Sequence, residues 1–152
     1  MGIFSKLKNL TGGWADVSVI TEDARRGDST EVMIQVSVKD EPIEISRIYI
    51  TLRCVEEVRV PNYRVNNAGT SGGSTSVNVN ATEVLHEQEY TATGATRLDA
   101  GILEAVPCTL DLPGHMPPSF EGRNARVRWL VKAGLDMSGN DPDSGWQELP
   151  VA

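Results

Sequence analysis

Two histidines, two cysteines and one acidic loop are the side chains of this 152-residue chain whose types could do chemistry. His86 lies among Glu83, Glu87 and Glu89, and a carboxylate beside an imidazole is the usual pairing for general acid–base work. His115 instead sits next to the turn prolines Pro117 and Pro118. Neither histidine is spaced for metal or nucleophilic chemistry. The chain has no His-Glu-x-x-His and no phosphate-cradling glycine loop ahead of a helix. The expectation is a protein that is not an enzyme, with no catalytic residues and no cofactor.

Asp136, Asn140, Asp141 and Asp143 gather in one short stretch, and hard oxygen ligands of this kind suit Ca²⁺. The spacing fails an EF-hand, because Asp141 occupies the position that demands glycine and no glutamate closes the loop. Gly139-Asn140-Asp141-Pro142-Asp143-Ser144-Gly145 reads better as a turn between the last two strands. Cys54 and Cys108 each occupy an apolar strand position, and a reducing compartment would leave them as thiols. Adjacent strands could bring them together, and the sequence leaves open whether they pair.

The formal charge of −7 argues against nucleic acid, whose binding depends on phosphate neutralisation by Lys and Arg. A local basic face remains at Arg123, Arg126, Arg128 and Lys132. A solvated strand face with scattered counter-ions accounts for it better than a phosphate site. No apolar run approaches the ~20 residues needed to span a membrane, and Lys6 and Lys8 interrupt any signal-like stretch. A cytoplasmic protein is expected, without stable membrane insertion.

Positioning these residues requires strands. Ala125, Val127, Trp129, Val131, Ala133 and Leu135 alternate with Arg126, Arg128, Lys132 and Asp136, the period of a half-buried strand. Val32, Ile34, Val36 and Val38 alternate in the same way. Ile43 and Ile45 lie out of phase with Ile48, Ile50, Leu52 and Cys54, which places a turn or bulge near Ser46-Arg47. The second run is expected to continue through Val60 and to stop at Pro61. Further strands are expected at Trp14–Thr21, Glu83–Tyr90, Leu103–Leu112 and Trp146–Val151. Residues 66–82 carry no charge and are rich in Gly, Ser and Asn, so a flexible loop is expected there, with Val77 and Val79 as a possible strand start.

At the amino terminus, Ile3, Phe4, Leu7 and Leu10 fall at helical spacing before Gly12-Gly13, giving a short amphipathic helix over residues 1–13. The β-sandwich domain then spans residues 14–152. Seven or eight short strands with turns between them make an antiparallel sandwich the expected class.

The segment Pro117-Pro118-Ser119-Phe120-Glu121-Gly122, followed by Arg126-Val127-Arg128-Trp129 and Val131-Lys132-Ala133, resembles the N-terminal domain of the arrestin superfamily. Ala100-Gly101 and the Val106–Pro113 stretch are similar to the same family, with Cys108 and Leu110 where it usually carries aromatics. The resemblance implies an all-β, two-sheet immunoglobulin-like sandwich of the arrestin type. It also implies relatives that include bacterial sporulation-control proteins. The function expected from it is a non-enzymatic interaction or scaffolding module in signalling or stress response, with an unidentified protein as partner. Candidate contacts are Phe120, Arg123, Arg126, Arg128 and Lys132, although the family pattern favours Phe120 as a core plug anchoring its turn. The alternatives are a sandwich binding Ca²⁺ or a small polar ligand, and a self-assembling subunit that pairs through edge strands or the amino-terminal helix.

Overall fold

The computed structural model describes residues 14–66, 73–139 and 141–152, so the helix expected over residues 1–13 lies outside the described residues. No helix occurs among those described, and every strand pairing within the sheets is antiparallel. In chain order the strands are β1 (Ala15–Ile20), β2 (Ser29–Val38), β3 (Ile43–Ile45), β4 (Arg47–Asn66) and β5 (Ser74–Thr93). They continue with β6 (Thr96–Leu98), β7 (Leu103–Asp111), β8 (Phe120–Glu121), β9 (Ala125–Asp136) and β10 (Gln147–Glu148).

Alternating apolar residues set which face of each strand is buried. One sheet has the order β1-β2-β7, and its inward side chains Val17, Val19, Val32, Ile34, Val36 and Leu110 are buried. The second has the order β10-β9-β4-β5, with β8 also on β9, and it turns Ile48, Ile50, Leu52, Trp129, Val131 and Leu135 inward. The two inward faces form a single core. Each fully buried aliphatic side chain stabilises the fold by about 1.5–3 kcal/mol. β3 and β6 make a separate two-stranded sheet, so the phase change near Ser46-Arg47 falls where the chain leaves one sheet for another.

Two sequence expectations need correction around the β4–β5 hairpin. Of the expected 66–82 loop, Ser74–Thr82 is strand, and it is held by register pairs such as Val60↔Val79 and Tyr63↔Val77. Polar Ser and Asn residues form a strand here because the partner strand satisfies their backbone, which local composition cannot reveal. Pro61 likewise does not end β4. The ladder shifts register between Val60 and Tyr63, and Asn62 takes φ 57°. A bulge absorbs the missing proline donor and lets pairing resume beyond it. The Asn62 amide donates to Asn78 Oδ1 at 3.2 Å, which ties the bulge to the opposite strand.

The proline turn behaves as its residues predict. No ladder runs through Pro117-Pro118, and the buried Trp129 indole donates to the Pro117 carbonyl at 2.9 Å. The core therefore holds the turn directly. Cys54 is buried on β4 and Cys108 half-buried on β7, in different sheets, and both are free thiols.

Candidate protein-interaction surface

β9 carries the expected candidates, and its far edge decides what they can do. β10 pairs with Leu130 and Val131, and β8 pairs with Arg126 and Val127. Between these two short strands the edge at Arg128 and Trp129 lines an open cleft of about 240 Å³. Leu149 closes part of it by donating its amide to the Trp129 carbonyl at 2.8 Å. Phe120, Arg126, Arg128, Glu148 and Pro150 are among its walls.

Phe120 is not the core plug that the resemblance favoured. Its side chain is 57% exposed. A Cβ at Gly122 would stand 2.8 Å from the Phe120 ring, so glycine is what lets the ring fold over its own turn. The turn itself is closed by the Gly122 amide donating to the Ala125 carbonyl at 2.8 Å.

The basic face is compensated from a strand far away in sequence. Glu57 on β4 receives Arg126 Nε and Arg128 Nη2, each at 2.5 Å. Arg128 also reaches Glu148 at 3.4 Å. Arg128, then Arg126, bonds the Glu57 carboxyl and holds it below its ordinary range, while the same contact raises the Arg128 guanidinium. Lys132 lies apart from this group. Its ammonium and the Arg53 guanidinium stand over the Trp146 ring at 4.9 and 4.2 Å. Such stacking favours cations over aromatic faces. Arg123 is exposed at the rim of a neighbouring depression and makes no ion pair among the described residues. Arg126 and Arg128 therefore offer hydrogen-bond donors with little net charge. A phosphate site is not what this arrangement provides.

The acidic residues also go to internal duties. Asp136 pairs with Arg47 Nε at 2.5 Å, and Arg47 reaches Glu89 at 3.1 Å. Asp141 accepts from the Met137 amide at 3.3 Å, and Asp143 accepts from Gly145 at 2.7 Å. These are turn bonds, and no three His, Cys, Asp or Glu side chains converge on a metal position among the described residues. Asn140 lies outside those residues.

His86 faces Cys54 in the β4–β5 ladder, 6.4 Å from the Trp129 ring. Its Nε2 is buried without a hydrogen-bond partner among the described residues. Burial pushes the Cys54 thiol up to about 11, which suppresses the thiolate a nucleophile needs. Gly69-Thr70-Ser71-Gly72-Gly73 has the Gly-x-Ser-x-Gly spacing of a nucleophile elbow. An elbow requires a helix after the serine, whereas β5 begins at Ser74.

The family model for the arrestin (or S-antigen) N-terminal domain matches residues 29–150. The chain belongs to this arrestin family. No curated protein sequence matches it. Among solved structures it is similar to the sporulation control protein Spo0M from Bacillus subtilis. That match has a TM-score of 0.62 and 20% identity over 91% of this chain and 49% of the other. This arrestin domain therefore spans about half the length of that relative, and the likeness is one of fold. A family 123 glycoside hydrolase from Clostridium perfringens aligns at 10% identity over 91% of this chain and 27% of its own, with a TM-score of 0.45. No helix of the described residues is long and apolar enough to cross a membrane.

Proposed function

We propose that this chain is an arrestin-type, immunoglobulin-like β-sandwich that works as a non-enzymatic protein-interaction or scaffolding module, in bacterial signalling or stress response. The observation that carries the reading is the exposed Phe120 beside the open stretch of the β9 edge. An exposed aromatic beside arginine suits an interaction hot spot, with the glutamates at its polar rim. The cleft is open to solvent and lined by both charged and apolar side chains, which suits a side chain of a protein partner better than a fully enclosed metabolite. Membership of the arrestin family and the fold of the sporulation control protein support a regulatory rather than catalytic role.

Site-specific photo-crosslinking tests this reading. A photoreactive residue at Phe120 should give a discrete protein adduct in the native host, and one at Ser18, on the opposite sheet, should not. Replacement of Arg128 by Ala should remove the adduct formed from position 120. Identical adducts from both positions, or none from position 120, would count against the cleft as the recognition site.

A further inference from the structure

The distal part of the β4–β5 hairpin is a ribbon of only two strands. β9 stops accompanying β4 at the Val58↔Ala125 pair, whereas β4 and β5 stay paired as far as Asn66 and Ser74. One face of this ribbon is apolar, with Tyr63 53%, Val65 42%, Val77 37% and Val79 39% exposed. A two-stranded ribbon is marginal in water, and three or more strands are needed for independent stability. Among the described residues, no strand pairs with the outer edge of β5 between Ser76 and Thr82, since β5 is the last strand of its sheet.

That edge has two dissimilar halves. The second half carries Glu83, Glu87 and Glu89, of which Glu87 and Glu89 pair with Arg53 and Arg47 of β4. From Ser74 to Thr82 there is no charge at all. The uncharged half is also complementary to itself. When two copies run antiparallel about Asn78, Val77 faces Val79 twice, Ser76 faces Asn80, and Asn78 faces its own counterpart. From Ser76 to Asn80, apolar residues meet apolar ones and polar residues meet polar ones, all in one register. Two chains each carrying −7 repel over most of their surfaces, so a charge-free strand is the favourable place for them to meet.

We infer that the Ser76–Asn80 stretch of the β5 edge is a homodimerisation surface, on which a second copy of this chain pairs antiparallel about Asn78. The result is one four-stranded ribbon, β4-β5 continued by β5-β4 of the second copy, with the Tyr63, Val77 and Val79 stripe continuous across it. This surface is separate from the Phe120 cleft and does not rest on it.

Analytical ultracentrifugation of the full chain tests the inference, with paired charge variants. The chain should be a dimer, and Val77→Lys with Val79→Lys should weaken it by about 100-fold, as should Val77→Glu with Val79→Glu. Both sites are exposed in the single chain, so each variant should keep a melting temperature close to that of the monomeric fold. Mixing the lysine and glutamate variants should restore the dimer, because every introduced lysine of one chain then faces an introduced glutamate of the other. A parent chain that stays monomeric up to about 1 mM overturns the inference, as does a dimer that neither variant weakens. Failure of the mixture to reassociate overturns it as well.

Discussion

The Arg128 guanidinium and the Glu57 carboxylate meet at 2.5 Å across neighbouring strands, although 71 positions separate them in the chain. Arg126 shares the same carboxylate, so one acidic side chain pairs with two of the four basic residues singled out in the sequence. Two arginines of what looks like a positive stripe along β9 belong to an ion-pair ladder with Glu57 on β4 and Glu148 on β10.

Replacing Glu57 by Gln should lower stability by roughly 1 kcal/mol near pH 7, since the group is only partly shielded from water. The Glu57 carboxyl is held below its ordinary 4.5 in the folded chain, so its contribution is complete above that value. As pH falls through the lowered folded value, the carboxylate is protonated and the contribution disappears. The gap between parent and Glu57→Gln in urea midpoint should thus be open at pH 7 and should narrow progressively as the pH falls below 4.5. A gap independent of pH would show that the ion pairs do not set it.

Trp129→Phe removes the indole donor to the Pro117 carbonyl and leaves a void in the core. A loss of about 2 kcal/mol in denaturant unfolding is expected from the two effects together. Faster amide hydrogen exchange at Ser119, whose amide bonds the Val151 carbonyl at 2.8 Å, should accompany it. Unchanged exchange there would show that the tryptophan does not hold the turn.

Gly134 lies opposite Tyr49 in the β4–β9 ladder, and a Cβ at Gly134 would fall within the Tyr49 ring and hydroxyl. Arg47 stacks over that ring at 5.0 Å and limits where it can move. Gly134→Ala should cost about 1–3 kcal/mol in the parent background. In a Tyr49→Ala background the same change should cost much less. Equal costs in both backgrounds would locate the strain elsewhere.

The two thiols should be slow toward a disulfide reagent at pH 8, because burial raises both, Cys54 to about 11. Denaturant should release two reactive thiols, with Cys54 the slower to react in the native chain. Rapid native labelling of Cys54 would mean that the sheet around it opens far more readily than its packing implies.

The strand periods, the proline turn and the break at Ser46-Arg47 were all legible in the sequence, because each is written in consecutive residues. Val32 to Val38 and Val127 to Leu135 carry their own alternation, and the buried faces follow from it. The ion-pair ladder was not legible, since Glu57 is brought beside Arg126 and Arg128 only by the β4–β9 pairing. Residues 74–82 were hidden for a related reason: their polar composition describes a loop until β4 supplies the backbone partners. Phe120 shows a third limit. Its place in the turn could be read, but the side it faces depends on Gly122 and on how far β10 covers the neighbouring edge. The distance between Cys54 and Cys108 depends on sheet membership, which alternation does not encode.

The bulge at Pro61-Asn62 has a consequence for how this hairpin can change over generations. Register beyond it is uncoupled from register within the core, because the ladder has already slipped between Val60 and Tyr63. Residues can be gained or lost in matching pairs past that point while Ile48, Ile50 and Leu52 keep their orientation. The bulge acts as an expansion joint, and the reach of the ribbon is free to vary while the domain that carries it stays the same.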